Sequence, residues 1–366
     1  MSNTLHTGGR GRAQLPAVAL ALQGGGSHGA FTWGVLDRLL ESVEGRFRIA
    51  AISGASAGGI NAALTACGLA SGGPQDARAR LRTFWTGFSR TGLLLGNPLL
   101  GFAEPAPFGG LNIDWSPMAI ALEAIGLVVS PYTNIFYTDP LTPIIREALP
   151  EADLGRLNGP EAPQVFISAT DISTNQRVLF TQPHLTVDAL RASACLPELF
   201  RTVQIDKRLY WDGGYLGNPA VTPLVDFAQD LLIVVLNPMH RNDMPPISAR
   251  GILDRLNEIT FNASLVLELN GIEAVNRVLD AVGPDHGTHY KPIRFHMIEN
   301  DAFMATLGFV SKNSTSALLI DKLYTEGRAT ADRWLARHVD RLGRASSINA
   351  HDDLIGPMLN ARYSGE

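Results

Sequence analysis

Gly54-x-Ser56-x-Gly58 lies between a short apolar run, Ile49 to Ile52, and an Ala-rich stretch of helical spacing that reaches Leu64. A serine on a strand-to-helix turn is a candidate nucleophile. So sharp a bend lifts its hydroxyl clear of the sheet and needs small neighbours two positions away on either side. The helix that follows would aim its first N–H groups and positive dipole end at the same point, where a developing oxyanion is stabilised. Small residues around a serine also serve close helix–strand packing, so this pattern alone leaves both readings open.

A second candidate element is Gly24-Gly25-Gly26-Ser27-His28-Gly29, which follows the apolar run Ala17 to Leu22 and precedes a helical pattern from Ala30 to Val43. Gly24, Gly26 and Gly29 fit the G-x-G-x-x-G of a dinucleotide-binding turn. That reading needs an acidic residue at the tip of the second strand to hold the ribose. The strand Ile49 to Ser53 ends in Gly54 instead, and Glu44 precedes it. Consecutive glycines have another use, turning several backbone N–H groups toward one anion. Two neighbouring strands would then end in a serine elbow and an anion nest, which is what acyl transfer requires.

A serine hydroxyl attacks only when a base takes its proton. In the order Ser, acid, His, the base would be His240, His286, His289 or His296. None of these follows a convincing strand in a short loop, and His296 lies inside one. Asp212 ends the apolar run Leu209-Tyr210-Trp211 and precedes Gly213 and Gly214, so its backbone could approach another element closely. A carboxylate walled by apolar groups is desolvated and becomes a stronger base than in water. Asp-Gly-Gly on its own also reads as a turn.

Taken together, Gly24 to Gly29, Gly54-Ala55-Ser56-Ala57-Gly58 and Asp212-Gly213-Gly214, in this order, resemble the patatin-like phospholipase family. Ala192 to Pro197 and Asn218-Pro219-Ala220 resemble the stretches that flank its aspartate motif. The resemblance covers Ala17 to Leu236, with Thr91 to Tyr137 matching poorly. It implies Ser56 as nucleophile and Asp212 as its base, without a histidine. It also implies an oxyanion hole from the amides of Gly24, Gly25 and Gly26, with Gly29, Gly54, Gly58, Gly213 and Gly214 supporting the motifs. The implied fold is a three-layer α/β/α domain with a mostly parallel central sheet. The implied activity is hydrolysis of acyl esters of lipids, with no cofactor and no metal. One position departs: His28 stands where the family's glycine loop usually has Arg or Lys, which puts head-group preference in doubt. The alternative from another class is a non-catalytic lipid-binding or scaffold protein on the same fold.

The rest of the chain sets the frame. With 45% hydrophobic and 18% charged residues among 366, the composition suits a large buried core. A net charge of −5 and the lack of any long Lys/Arg run argue against a nucleic-acid partner. Cys67 and Cys195 sit in small apolar contexts and read as buried free thiols, in keeping with a reducing compartment. No apolar run has signal-peptide or membrane-span length, so a soluble, cytoplasmic protein is expected, with membrane-surface contact left open. The expected organisation is an arm over 1–16, a catalytic domain over 17–240, a helical C-terminal region over 241–345 and a tail over 346–366. Residues 91–137, rich in Leu, Pro and aromatics, read as a cap insertion or a packed irregular one. A helix is expected over 72–90 with Arg78, Arg80 and Arg82 as its wet face. Further helices are expected over 138–149, 253–269, 272–282 and 316–335. Oligomeric state is not legible.

Overall fold

Strand β1 (Ala17–Leu22) buries alternate residues in two separate cores: Val18, Leu20 and Leu22 on one face of the sheet, Ala19 and Ala21 on the other. A strand covered on both faces reads as an uninterrupted apolar run, as parallel sheets between helical layers require. In the computed structural model, which describes residues 15–94, 130–134, 137–241, 246–283, 290–350 and 353, this strand lies near the middle of one sheet. The chain continues through α1 (Gly29–Ser42), β2 (Arg48–Ala55), α2 (Ala57–Gly72), α3 (Pro74–Leu94) and α4 (Leu141–Ala148). Next come β3 (Gln164–Asp171), β4 (Gln176–Phe180), α5 (Val187–Ser193), β5 (Val203–Ile205), β6 (Arg208–Asp212) and β7 (Asp230–Val234). It ends with α6 (Ala249–Val282), β8 (Arg294–Ile298) and α7 (Ala317–His338), with single helical turns between several of these elements.

The sheet order is β5-β6-β3-β2-β1-β7-β8, with β4 paired to β3. The run β3-β2-β1-β7-β8 is parallel throughout, and β4, β5 and β6 make the antiparallel pairs. Residues of α1, α2, α3 and α7 fill one core, and Leu265, Leu269 and Ile272 of α6 help fill the other. This is the expected three-layer α/β/α arrangement.

One feature of the register positions the site. Ala55 pairs with Ser168, and Asp212 pairs with the next residue, Ala169. Strand β4 occupies the opposite edge of β3 over Ile167–Asp171, so β6 takes up the edge of β3 where β2 stops. The last residue of β6 therefore meets the end of β2 nearly head-on.

Several expectations change. The two helices expected over 253–269 and 272–282 are one continuous helix, α6, because Gly271 lies on an exposed turn and costs only about 1 kcal/mol inside a helix. Two of the α3 arginines are not a wet face. Arg78 bridges Asp37 and Glu41 of α1, and Arg80 bridges Asp76 and Asp153. The 241–345 stretch contributes to the central layers, since β8 extends the sheet and α7 packs on the α1 side. Cys67 and Cys195 are buried and free, as expected. Most of the 91–137 insertion, the first fourteen residues and most of the tail lie outside the described residues. Among the described residues, no helix is long and apolar enough to cross a membrane.

Candidate active site

Ser56 sits between β2 and α2 with φ 52° and ψ −128°, a conformation that costs an ordinary side chain about 1–3 kcal/mol. The surroundings hold it there. Its N–H donates to Ser193 Oγ at 2.9 Å, and its carbonyl accepts from Ile60 N at 3.1 Å. The small flanking residues are a steric requirement: a Cβ on Gly54 would come within 2.3 Å of Gly58 O, and one on Gly58 within 2.3 Å of Leu22 O. Ser56 caps a sixteen-residue helix, so α2 presents its positive end to the hydroxyl.

Asp212 is fully buried. Three backbone contacts fix its main chain: its N–H donates to Cys195 O at 2.9 Å, its carbonyl accepts from Thr170 Oγ1 at 2.8 Å, and it pairs with Ala169. Its Oδ1 accepts from Gly214 N at 2.7 Å. Oδ2 is buried without a complete hydrogen bond among the described residues, yet the Ser56 hydroxyl is close enough to pull the carboxyl's pKa down. Burial outweighs that pull and the Gly214 N–H, and pushes the pKa up to about 7. The sequence pair Ser56 and Asp212 is thus brought together. Gly213 lies tight on β3, where a Cβ would reach 2.0 Å from Ser168 O.

The glycine loop is clamped from below. Gly24 N donates to Asn218 Oδ1 at 2.6 Å, which takes this amide out of the expected oxyanion set. The reason is geometric: Gly24 packs directly on the Ala55–Ser56 peptide, and Asn218 holds it there. The amides of Gly25 and Gly26 make no hydrogen bond among the described residues. Gly26 lines the same cleft as Ser56, adopts φ +57°, and lies so close to Lys312 O that a Cβ would reach 2.2 Å. Gly29 packs on Ala57 and Trp85, and its carbonyl accepts from Asn61 Nδ2 at 3.0 Å. Gln23 ties the loop to the segment after β7 and to α6, accepting from Leu236 N and Asn237 N at 2.7 and 2.8 Å and donating to Asn262 Oδ1 at 2.8 Å.

His28 is buried and turned away from the serine. Ser311 Oγ donates to Gly308 O at 2.6 Å, so its contact with His28 at 2.7 Å has Nε2–H as donor. Burial, helped by the Lys312 ammonium, pushes the His28 pKa down to about 3. Lys312 is a residue the sequence reading missed. It lines the cleft, donates to Asn237 Oδ1 and Asn257 Oδ1 at 2.7 and 2.8 Å, and stands 5.3 Å over the Phe261 ring. Burial pushes its pKa down to about 8. Asn218, Ser193 and Gln23 were also not singled out as site residues. Ser193 and Asn218 fall in stretches that resemble the family's flanking segments, but nothing local gives any of the three its role, because Ser56, Gly24 and Asn262 lie more than a hundred positions from Ser193, Asn218 and Gln23.

The histidine readings do not converge on Ser56. His296 contacts Asp230 at 3.0 Å, and Asp230 starts β7, at the opposite end of the strands from Ser56. His240 is exposed and faces Asp301. His286 and His289 lie outside the described residues. At the dinucleotide-type turn, Ser56 occupies the strand tip where a ribose-binding acid would stand. Ser56 opens into a narrow cleft of ≈ 60 Å³ walled by Ile60, Phe84, Trp85, Phe88, Leu196 and Phe200.

An α/β sheet with a strained serine at a strand tip, a buried carboxyl beside it and an apolar cleft above is an arrangement chemically able to transfer acyl groups. A patatin-like phospholipase family model matches residues 20–225, more than half of the 366-residue chain. The chain belongs to the patatin-like phospholipase family, and membership supports lipid acyl hydrolase activity. Among solved structures it is similar to VipD from Legionella pneumophila, at 15% identity and TM-score 0.40, covering 93% of this chain and 73% of that one. It is also similar to the type III effector ExoU, at 17% identity and TM-score 0.35, covering 88% of this chain and 53% of that one. A further similarity is to the structure of SpcU in complex with ExoU from Pseudomonas aeruginosa, at 16% identity and TM-score 0.30, covering 87% of this chain and 53% of that one. No curated protein matches.

Proposed function

We propose that the chain hydrolyses carboxylic esters of lipids with Ser56 as nucleophile and Asp212 as general acid and base. Ser56 Oγ attacks the acyl carbon as its proton passes to Asp212 Oδ2. The carbonyl oxygen becomes an oxyanion stabilised by the amides of Gly25 and Gly26 and the N-terminus of α2. Collapse of the intermediate breaks the bond to the alcohol, which leaves with the proton from Asp212. Water then attacks the acyl-enzyme and gives a proton to the same carboxylate, which passes it to Ser56 Oγ as the intermediate collapses and the fatty acid leaves. Lys312 adds a positive charge behind the glycine loop, and the apolar cleft takes the acyl chain.

The observation that carries this reading is the buried Asp212 Oδ2, unsatisfied and beside the serine hydroxyl. A desolvated carboxylate with a pKa of about 7 is a usable base at neutral pH, and Oδ2 has no structural partner to give up. The test compares wild type with Ser56→Ala on a p-nitrophenyl acyl ester and on phosphatidylcholine vesicles, alongside fluorophosphonate labelling. Turnover and labelling are expected only with Ser56 present. Full ester hydrolysis by Ser56→Ala would sink the assignment, and absence of both turnover and labelling in wild type would favour a lipid-binding protein.

A further inference from the structure

Helix α6 has two faces of different kinds. Its inner face holds the site: Phe261 packs on Gly214, Asn262 accepts from Gln23, and Ser264 Oγ accepts from Asn218 N at 3.0 Å. Further along, Glu268 accepts from Val221 N, Thr222 N and Arg177. The outer face is apolar and exposed, with Leu267, 70% exposed, at its centre. At 100° per residue, positions 4, 7, 11, 14 and 15 before and after Leu267 all fall within about 60° of it. The residues there pair off as Ala263 with Gly271, Thr260 with Ala274, Leu256 with Val278, Leu253 with Ala281 and Ile252 with Val282, and every one is exposed.

We propose that this face is the interface of a homodimer in which α6 packs antiparallel on α6 of a second copy, with Leu267 on the two-fold axis. Three features select a second copy as the occupant. First, small residues flank Leu267 at four positions on either side, Ala263 and Gly271, with larger apolar residues outside them, Leu256 and Ile252 on one side and Val278 and Val282 on the other, an order that a two-fold contact can match. The small residues Ala263 and Gly271 oppose each other and let the helices approach closely. Second, Leu253, Leu256, Leu267, Val278 and Val282 are each 53–70% exposed, a contiguous apolar strip approaching the roughly 800 Å² per partner of a standard specific interface. Third, the charges suit another helix. In the antiparallel register the two helix dipoles oppose, and Arg255, held by Glu258 of its own chain, stays off the seam. A lipid surface fits less well: α6 carries five carboxylates (Asp254, Glu258, Glu268, Glu273, Asp280) against three arginines (Arg250, Arg255, Arg277), and no Trp or Tyr. The dimer does not depend on the proposed chemistry. It would cover the outer side of the helix that clamps Gln23 and Asn218.

The test uses the full chain at tens of micromolar by sedimentation equilibrium. Wild type is expected at twice the mass of the 39.4 kDa chain. Leu267→Glu, which sets two carboxylates face to face on the axis, is expected to run as a monomer with unchanged circular dichroism. Leu267→Cys is expected to form an interchain disulfide with itself under mild oxidation. Leu256→Cys is expected to cross-link only when Val278→Cys is present in the same chain. A monomeric wild type, a Leu267→Glu dimer, or Leu267→Cys that stays uncross-linked would each overturn the proposal. So would a monomer that sediments with phosphatidylcholine vesicles only when Leu267 is intact, which would assign the face to lipid.

Discussion

Replacing Asp212 by asparagine should cut activity sharply and at the same time stabilise the fold, by an amount that depends on pH. The carboxyl is buried, and its pKa lies at about 7 in the folded chain against an ordinary value of 3.8. A folded pKa above the unfolded one means that the native state binds the proton more tightly. Wild-type stability is therefore fullest below pH 4 and falls as pH rises through the folded pKa, then levels off. At 1.36 kcal/mol per unit, the shift of about three units makes folding with Asp212 cost about 4 kcal/mol at pH 8, where the buried carboxyl is ionised, but only about 2 kcal/mol at pH 5, where folding takes up a proton instead. The substituted amide would keep an acceptor for Gly214 N and carry no charge at any pH. Urea unfolding of wild type and Asp212→Asn should thus diverge by about 4 kcal/mol at pH 8, by half as much at pH 5 and by little near pH 3. Ester hydrolysis should drop by about 10²–10⁴, the usual contribution of a general base. A stability difference that did not change with pH, or an Asp212→Asn variant less stable than wild type at pH 8, would refute the account of a desolvated base.

Two further outcomes follow from the same contacts. The pH profile of kcat/KM should rise through about pH 7 as Asp212 ionises and fall above about pH 8 as Lys312 loses its charge, and Lys312→Met should lose the alkaline limb while keeping the acid one; an unchanged alkaline limb in that variant would remove Lys312 from the mechanism. Ser193→Ala leaves the buried Ser56 N–H without its acceptor, so stability should fall by about 1–3 kcal/mol and kcat should fall more than KM rises; urea melts with single-turnover kinetics check both, and unaltered kcat would show that the elbow needs no such tether.

The candidate reacting groups were legible in the chain because their constraints are local. Gly54 and Gly58 must be small since each would strike backbone within the same turn or the adjoining strand, and a motif records that directly. The three-layer fold was legible for a similar reason, as β1 and β7 are too apolar to face water on either side. The groups that hold the site were not legible. Asn218 reaches Gly24 across 194 positions, Ser193 reaches Ser56 across 137, and Gln23 reaches Asn262 across 239, distances at which spacing carries no signal. His28 stands out in the glycine loop, but its lowered pKa comes from burial and then from the charge of Lys312, and its partner Ser311 also lies far along the chain. The continuity of α6 was missed because a lone glycine is a weak helix breaker when the outer turn faces solvent.

The family match stops at residue 225, while Asn237, Asn257, Phe261, Asn262, Ser311 and Lys312 all lie beyond it. A fragment cut at that point would keep Ser56 and Asp212 and lose the scaffolding that aims them. Anyone transplanting this site into a shorter frame, or trimming the chain for expression, must treat the segment through α7 as part of the machine and not as an appendage. The smallest working unit here is set by what braces the glycine loop, not by where the recognisable motifs run out.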